Sequence, residues 1–259
     1  MINNIYIGNE YNIAKQPDKI YVKTNNYSGE VFSAYIADNM GLAKCIYTKA
    51  ILPPEYQQVE YIQGTGTQYI NTGVTMSVNN LAIEITAAVT SNVYSSLDGV
   101  LMGCYGGSSH RLYVFIKSSG DTNAGKIRLG IGAGYYTDST KVDTNKHVWK
   151  VDMKNLTAYI DGVFKAKNSS SAYSRNTNNN CTIGILKATN ADGNWTYENG
   201  KAKVYNAKIW SNGTLTHNYY PCYRKTDGEI GLYDIIAKEF KTRMGSGTFE
   251  KGNNINQEL

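Results

Sequence analysis

A strict alternation of apolar and polar residues constrains the fold of this 259-residue chain more than any other feature. Apolar side chains occupy every second position of one stretch: Leu81, Ile83, Ile85, Ala87 and Val89. A period of two is typical of a β-strand with one buried face. The same alternation recurs over 126–131, 147–153 and 203–210, with turn-forming residues between, and no useful helical periodicity occurs. The pattern therefore predicts an all-β sandwich or jelly roll.

The stretch LPPEYQQVEYIQGTGTQYINTGV, residues 52–74, divides the chain. Pro53 and Pro54 exclude a helix and favour an extended entry. Strand-favouring residues follow, then a predicted turn at 64–66 and a second strand that we expect to stop at Gly73. The predicted division is a small β module over 1–50, a β-sandwich over 52–250, and a polar tail over 251–259 that frays beyond Phe249.

Residues 1–50 contain an internal repeat. Tyr6-Ile7-Gly8-Asn9 with Ala14-Lys15 matches Tyr35-Ile36-Ala37-Asp38 with Ala43-Lys44 at the same spacing. Short strands are predicted at 20–22 and 31–32, on either side of a turn at 25–29. A β unit this small buries too little surface to be securely stable alone, so we expect it to dock on a partner, on sister copies or on the main domain. The alternative is an irregular N-terminal arm.

Composition excludes several classes of protein. The net charge is only +5 and no run of five Lys or Arg occurs, which disfavours a nucleic-acid partner. The four cysteines, Cys45, Cys104, Cys181 and Cys222, are widely spaced without a CxxC pair, so free buried thiols are expected, with disulfides as the alternative. The sequence has neither a signal-peptide pattern nor an apolar run of about 18 residues, so neither export nor membrane insertion is predicted.

Catalysis is disfavoured by the placement of the acidic and histidine residues. A glycosidase needs two carboxylates facing each other across a cleft, and neither Glu84 nor Asp152 has a carboxylate two or four residues away. No GxSxG motif occurs, and His110, His147 and His217 stand alone in strand-like contexts. We therefore predict no enzyme and no cofactor.

Two glycine-containing motifs were considered as ligand sites. Asp192-Gly193-Asn194 is typical of a turn, with a calcium ligand set as the alternative, and no metal is predicted. The run 130–134 resembles a phosphate loop, but no helix follows it. Tyr135-Tyr136 instead predicts a β-turn.

Four segments in order carry a family resemblance: residues 52–74, LTAYIDGVFKA (156–166), KVYNAKIWSNG (203–213) and GEIGLYDIIAKEFK (228–241). Together they resemble concanavalin A-like (LamG-type) jelly-roll domains, and more narrowly those of phage and prophage virion proteins. The N-terminal repeat is similar to segments found ahead of such domains in phage structural proteins. The resemblance implies a concanavalin A-like jelly-roll β-sandwich over about 52–250, with the leading strand near the final GLYD strand.

The resemblance also implies a biological setting. It implies a virion component made in the host cytoplasm without a signal peptide, with host cell-surface glycans as the ligand class. Partners would be other virion proteins, bound through residues 1–50. By analogy with phage fibres the chain would form a homo-oligomer, with a trimer favoured.

Sugar binding is the ligand hypothesis that the residues support. Tyrosine dominates the aromatics, with 22 Tyr against 5 Phe and 3 Trp, and its half-polar ring suits sugar-binding surfaces. The candidate glycan-binding residues are aromatics in predicted loops and their polar neighbours: Trp195, Tyr197, Asn194, Tyr105, His110, Arg111, Tyr135 and Tyr136, with Tyr173 as a further ring. Trp195 leads this group, because a Trp in a Gly/Asn-rich loop buries poorly unless something covers it. The alternative for each ring is packing under a loop or against a sister subunit.

Two function hypotheses follow. The first is a virion adhesin or fibre protein of receptor-binding type that displays a lectin-like domain toward host glycans. The second is a capsid decoration or head-fibre protein with a structural role and no sugar ligand.

Overall fold

A computed structural model describes residues 51–76, 80–94, 97–108, 110–168 and 180–255, and the backbone of 20–24, 27–31, 33–37, 43–48 and 178–179. In these ranges every element of regular secondary structure is a β-strand. No helix there is both long and apolar enough to span a bilayer. The prediction of an all-β chain is confirmed.

The strands are short and follow one another closely. In chain order they are β1 (Ile20–Thr24), β2 (Tyr27–Val31), β3 (Ser33–Ala37), β4 (Ala43–Thr48), β5 (Tyr56–Gln58), β6 (Ile62–Thr65), β7 (Gln68–Met76), β8 (Leu81–Val89), β9 (Gly99–Tyr105), β10 (Arg111–Ile116), β11 (Lys126–Gly132), β12 (Gly134–Lys141), β13 (Lys146–Asp152), β14 (Thr157–Ile160), β15 (Val163–Lys167), β16 (Asn178–Ile185), β17 (Ala188–Thr189), β18 (Trp195–Thr196), β19 (Glu198–Asn199), β20 (Lys201–Ser211), β21 (Thr214–Arg224), β22 (Ile230–Asp234), β23 (Glu239–Thr242), β24 (Met244–Gly245) and β25 (Glu250–Lys251).

Two large sheets form the sandwich. The front sheet has the order β12-β11-β10-β9-β16-β7-β24, with β19 added parallel to β9. The back sheet has the order β15-β14-β13-β8-β20-β21-β22-β23, with β5, β6 and β25 attached beside it. The other pairings within both sheets are antiparallel, as the alternating strand pattern requires when one face of each sheet is buried.

The core lies between the inner faces of the two sheets. The alternating residues of β8 supply Leu81, Ile83 and Ile85 from the back sheet, all buried. Leu112, Val114 and Ile116 of β10 belong to the same buried cluster from the front sheet. The predicted burial of the apolar face of β8 is therefore confirmed.

The leading segment joins the two sheets. β5 pairs with β21 and β6 with β20 in the back sheet, whereas β7 pairs with β16 in the front sheet. The predicted turn is displaced, because Gly64 and Thr65 still belong to β6 and the chain bends at 66–67. A Cβ at Gly64 would lie 2.6 Å from Leu186 Cδ1, so this close crossing requires glycine. The strand expected to stop at Gly73 continues to Met76.

The C-terminal segment is paired to the leading segment. β25 pairs with β6, Asn254 forms a bridge with Val59, and the amide of Ile255 donates to the carbonyl of Gln58 at 2.9 Å. The prediction that the chain frays beyond Phe249 is therefore wrong as far as Ile255. The physical reason is that β6 has a free edge beside β20, and the polar tail supplies the missing backbone partners.

Most of the predicted hairpins are confirmed. Asp161-Gly162 and Asn212-Gly213 each connect two paired strands with positive φ at both residues, as a two-residue turn demands. The turn predicted at Tyr135-Tyr136 is wrong. Both tyrosines lie in β12, and the chain turns at 132–133, where Ile131 pairs with Gly134.

The N-terminal region contains two separate hairpins, β1–β2 and β3–β4. Strand formation at 20–22 is confirmed, but Tyr27, Ser28 and Gly29 lie in β2 rather than in the predicted turn. The first copy of the repeat, residues 6–15, lies outside the described residues, as does the side chain of Cys45. The division into an attachment module and a sandwich stays a prediction.

Asp234, the aspartate of the GLYD motif, accepts hydrogen bonds from several backbone amides. The Asp234 carboxylate is fully buried and bonds His217 Nδ1 at 2.6 Å. It also accepts from the backbone amides of Asn218 at 3.0 Å, Ile236 at 3.0 Å and Ala237 at 3.3 Å. One carboxylate thus joins β21 to the turn that follows β22.

Replacing Asp234 should destabilise the whole sandwich. Asp234→Ala leaves a histidine and three buried or half-buried amides without their acceptor. We expect the free energy of unfolding to fall by about 3–5 kcal/mol. Urea denaturation measures this, and Asp227→Ala, which breaks an exposed pair with Arg224, serves as the control and should change little. Equal effects of the two substitutions would contradict the assigned role of Asp234.

His147 gives the stability of the sandwich a pH dependence. Its ring nitrogens contact Asp161 at 2.7 Å and Asp143 at 2.9 Å. Burial alone lowers the pKa of His147, but the hydrogen bonds to the two carboxylates outweigh it, so the pKa is raised above the ordinary 6.5. The hydrogen bond from His147 lowers the pKa of Asp143 below 3.8.

These two shifts define the pH window in which His147 stabilises the fold. The contribution of protonated His147 is complete below pH 6.5 and is lost as pH rises through the raised pKa. The contribution of Asp143 is complete above pH 3.8 and is lost as pH falls through the lowered pKa. We expect His147→Gln to lower the melting temperature by about 1–2 °C near pH 5 and by less near pH 9. A difference that is independent of pH would contradict this.

Candidate functional site

The outer face of the front sheet presents an aromatic surface at strands β9 to β12. On β10, Leu112, Val114 and Ile116 point into the core, so Arg111, Tyr113 and Phe115 point outward. The Tyr113 and Phe115 rings stack with centroids 4.0 Å apart and an interplanar angle of 19°. Strand alternation thus places a stacked pair of rings on the side of the sheet away from the core.

Glycines on both neighbouring strands leave room for Tyr113. Gly130 of β11 is the register partner of Tyr113, and a Cβ there would lie 2.5 Å from Tyr113 Cε1. On the other side, Gly103 of β9 also pairs with Tyr113, and its Cβ would lie 2.5 Å from Tyr113 Cα. The missing side chains on both neighbours therefore leave the space that Tyr113 fills.

Two further tyrosines border the stacked pair. The Tyr105 ring lies 6.2 Å from that of Tyr113 and 6.2 Å from that of Tyr197, and Tyr197 lies 4.9 Å from Phe115. Both are half-buried, whereas Tyr113 and Phe115 are buried beneath them. Beside Tyr105 and Tyr197 is an open depression of about 460 Å³ that is also lined by Leu97, Asn190, Ala191, Asp192 and Thr196.

The surface ends in a tyrosine flanked by two arginines. The Tyr135 side chain is 53% exposed, and the guanidinium carbons of Arg128 and Arg111 lie 4.4 Å and 5.5 Å from its ring centroid. Arg111 also donates to the carbonyl of Ala133 in the β11–β12 turn. We define the aromatic platform as Tyr105, Tyr113, Phe115, Tyr135 and Tyr197 together with Arg111.

A charge network supports the platform from one side. Lys117 Nζ lies 2.5 Å from Asp98 and 3.0 Å from Asp121, and Arg128 lies 3.5 Å from Asp121. A backbone hydrogen bond from Asn123, helped by Lys117 and Arg128, lowers the pKa of Asp121 to about 2. Asp121 is therefore ionised at neutral pH and matched to Lys117 and Arg128.

Burial raises the pKa of two phenols of the platform. Desolvation raises the pKa of Tyr113 and of Tyr197 above the ordinary value of 10.0. Both hydroxyls therefore remain able to donate a hydrogen bond throughout the neutral and alkaline range. Rings with protonated hydroxyls beside a guanidinium offer the stacking surface and the donors that a polar ring-shaped ligand needs.

The structure brings together four of the eight predicted glycan-binding residues. Tyr105, Arg111, Tyr135 and Tyr197 share the aromatic platform. Their nearness follows from long-range strand pairing, since Arg111 is the register partner of Tyr105. Whether they contact a glycan stays a prediction.

Trp195 lies apart from the platform, on the strands at the other end of the same sheet face. Its ring packs against Tyr69 with centroids 4.8 Å apart and covers Gly184, whose Cβ would meet Trp195 Cζ3 at 2.6 Å. It belongs to β18, paired with β17, so the predicted loop over 190–200 is in part regular structure. A short hairpin and a glycine on β16 provide the burial that the sequence pattern did not reveal.

The other three predicted residues have structural settings. Tyr136 alternates with Tyr135 and packs against the core, with its hydroxyl 3.4 Å from Asp138, so the two rings cannot share one surface. Asn194 is exposed, and its amide donates to Asn190 Oδ1, which closes the predicted turn at 192–194. His110 is half-buried in the β9–β10 turn, and its buried Nε2 has no partner among the described residues. Tyr173 lies outside the described residues.

Sequence reasoning missed three residues of this surface: Tyr113, Phe115 and Arg128. They lie in apolar or alternating strands, whereas the residues predicted to contact a ligand lie in predicted loops. The signal that would have found them is the period of two in β10 combined with glycine at 130 on its predicted neighbour.

A second depression, of about 580 Å³, lies on the outer face of the back sheet and contains both carboxylates considered for hydrolysis. Glu84 and Asp152 line it together with Asp161. Glu84 is paired with Lys208 at 2.9 Å. Asp152 accepts from the amides of residues 154 and 155, and Asp161 accepts from His147 and the amide of Val148. Each carboxylate is therefore committed to a turn or an ion pair.

The cysteines and metal ligands add no further site. Cys104, Cys181 and Cys222 are buried free thiols, as predicted. Across the described ranges, no group of three or more His, Cys, Asp or Glu residues is arranged to hold a metal ion.

Comparisons with known proteins give little guidance. A scan against protein-family models found no match, and neither did a search of curated proteins. Among solved structures, the chain is similar to Ruminococcus gnavus IT-sialidase CBM40, with 14% sequence identity and a TM-score of 0.35. The similarity covers 63% of this chain and 95% of that chain. At so low a score, conclusions about the site depend on its own residues.

Gly130→Ala tests whether the missing side chain at Gly130 makes room for the Tyr113 ring. The new Cβ would meet the Tyr113 ring at 2.5 Å, so the ring must lift. We expect the free energy of unfolding to fall by about 1–3 kcal/mol, although alanine is otherwise the better strand residue. The cost should largely vanish in a Tyr113→Ala background, which a double-mutant cycle measures. Gly120→Ala, where a Cβ meets open space, is the control; an undiminished cost without the Tyr113 ring would contradict the contact.

Proposed function

We propose that this chain is a non-catalytic glycan-binding protein of a virion, and that the aromatic platform is its ligand surface. Residues 1–50 would attach it to other virion proteins or to sister copies, with a trimer as the favoured assembly. The β-sandwich would face the surface of the host cell. The virion setting derives from the sequence resemblance described above.

The observation that carries the ligand assignment is that rings and polar groups share one sheet face. Tyr105 and Tyr197 are half-buried and border an open depression that adds Asn190 and Asp192, and Tyr135 is exposed on the same face. Sugar rings stack on tyrosine faces while their hydroxyls bond amides, carboxylates and guanidinium groups. A flat, open surface suits part of a long polymer better than an enclosed small molecule.

Weak binding of a glycan by each single sandwich is compatible with this role, because several copies of the protein displayed together bind the same polymer at once. Linked binding sites gain effective concentration without any new contact, by factors of about 10²–10⁴. A homo-oligomer on a particle that carries many copies would therefore hold a repetitive polysaccharide firmly even if each sandwich binds it weakly.

The binding role is favoured over hydrolysis by the state of the carboxylates in the back-sheet depression. A general acid must release and recover a proton, and a nucleophile must reach the sugar. Asp152 and Asp161 instead hold the turns that follow β13 and β14 through backbone amides. A turnover assay on β-glucans, with Glu84→Gln as the control variant, is expected to show no hydrolysis.

A capsid decoration or head-fibre protein without a sugar ligand is the alternative. It is favoured by the two backbone hairpins ahead of the sandwich, which are suited to docking on another protein. Under this alternative, deletion of residues 1–50 abolishes particle attachment while no glycan binds. Cryo-electron microscopy of intact particles separates the two roles by locating the protein on the head or the tail.

Glycan binding should depend on the rings of the platform. We expect Tyr105→Ala and Tyr197→Ala each to weaken binding to bacterial surface polysaccharides about tenfold, or about 1.4 kcal/mol, because each removes one stacking surface. The measurement is a polysaccharide array read with the oligomeric protein. Phe164→Ala, which removes an exposed ring from β15 of the back sheet, is the matched control and should bind normally.

The same array tests the sequence-based expectation for Trp195. A loss of affinity in Trp195→Ala would extend the ligand path along the sheet toward β7. If neither the array nor intact host cells retain the oligomeric wild-type protein, the glycan-binding function is wrong.

A further inference from the structure

We infer that the ligand of the aromatic platform is an acidic sugar, and that Arg111 binds its anionic group. This inference rests on the proposed glycan-binding function and narrows it to one chemical class. It is carried by the unequal surroundings of the two arginines that flank Tyr135.

Arg128 has two partners in the protein, one of which is a carboxylate. Its Nε donates to Thr137 Oγ1 at 3.1 Å, and its Nη2 lies 3.5 Å from Asp121. Its side chain is largely buried, and its charge belongs to the network of Lys117 with Asp98 and Asp121. It therefore fixes the Tyr135 ring but offers little charge to a ligand.

Arg111 is engaged at one point only. It donates to the carbonyl of Ala133, and within the described residues its guanidinium has no carboxylate partner and no second hydrogen-bond acceptor. A guanidinium has five N–H donors in a planar fork that matches an oxyanion. The remaining donors of this half-buried side chain have no acceptor among the described residues, and they lie beside the exposed Tyr135 ring.

The ion pairs beside the platform do not include Arg111. Asp98 pairs with Lys117, and Asp121 pairs with Lys117 and Arg128. Arg111 and Arg128 are the two cations whose charge acts on Tyr113, and among the described residues only Arg128 of the two has a carboxylate partner. The positive charge of Arg111 therefore stands without a carboxylate at the edge of the platform where solvent reaches Tyr135.

The position of Arg111 places a bound anion within reach of the stacking rings. Arg111 is the register partner of Tyr105 across the β9–β10 pair, and Tyr135 lies on its other side. An oxyanion held by the free N–H groups would bring the attached sugar ring over Tyr105 or Tyr135. A charged group and a stacking surface at this spacing suit a sugar that carries a carboxylate or a sulfate.

The experiment uses an array of paired glycans, each acidic member printed beside its carboxyl-reduced or desulfated counterpart. Sialyllactose with carboxyl-reduced sialyllactose, sulfated lactose with lactose, and galacturonate oligomers with their carboxyl-reduced forms are three such pairs. At low ionic strength we expect the full-length oligomeric protein to prefer the acidic member by about tenfold or more in at least one pair, and the preference to shrink as salt is added. Comparing the carboxylated with the sulfated pairs distinguishes the two sources of negative charge.

Variants assign the preference to Arg111. Arg111→Gln should abolish the preference for the acidic member, and Arg111→Lys, which keeps the charge but not the fork, should retain part of it. Lys146→Gln is the matched control: it removes one cation that lies 5.2 Å from the Tyr205 ring on the back sheet, and it should leave the preference unchanged. Melting temperatures establish whether each variant is folded. If Arg111→Gln does not fold, the salt dependence of the wild-type preference still tests the inference.

The outcomes separate this inference from the function on which it rests. Equal binding of acidic and neutral members, or an unchanged preference in folded Arg111→Gln, would overturn the acidic-sugar assignment and leave glycan binding intact. Failure to bind any member of any pair would overturn the glycan-binding function itself.

Discussion

The sandwich depends on one segment that pairs with both of its sheets. Residues 56–65 lie along the back sheet, and after a bend of two residues 68–76 lie along the front sheet. The crossing thus connects β20 of the back sheet, through β6 and β7, to β16 of the front sheet. The chain is closely packed at this crossing. A Cβ placed on Gly64 would lie 2.6 Å from Leu186 Cδ1 and 3.1 Å from the carbonyl oxygen of Gly200. Pairing of the C-terminal residues 250–255 to the same segment then covers its exposed edge.

Local features of this fold could be predicted from the sequence, because they need only neighbouring residues. The alternation in β8 and the turns at Asp161-Gly162 and Asn212-Gly213 are set by side-chain period and by positive φ. The pairing of β25 with β6 could not be predicted, since a polar strand that completes an edge has no apolar pattern of its own. The same limit explains Trp195, whose ring packs over Gly184, a glycine on another strand.

The candidate site shows the same division between local and long-range information. Sequence proximity suggested that Tyr135 and Tyr136 act together, but consecutive residues of a strand face opposite sides, so Tyr136 joins the core. Conversely, Tyr105 and Arg111 could be placed together only once β9 and β10 were known to pair. The difference between the partners of Arg111 and those of Arg128 is even harder to predict from the sequence, because it depends on which arginine Asp121 contacts. No local pattern encodes that choice.

The polar groups of this protein are divided between those that hold the fold and those that reach the surface. Asp234, Asp152 and Asp161 each accept backbone amide hydrogen bonds that hold a turn or a strand junction. The oxygens of these carboxylates are therefore occupied by donors of the chain itself. On the front sheet the groups that reach the surface are the half-buried rings of Tyr105 and Tyr197, the exposed ring of Tyr135 and the half-buried guanidinium of Arg111. Rings and a guanidinium supply a stacking surface and hydrogen-bond donors, which are the groups that the proposed binding of a sugar requires.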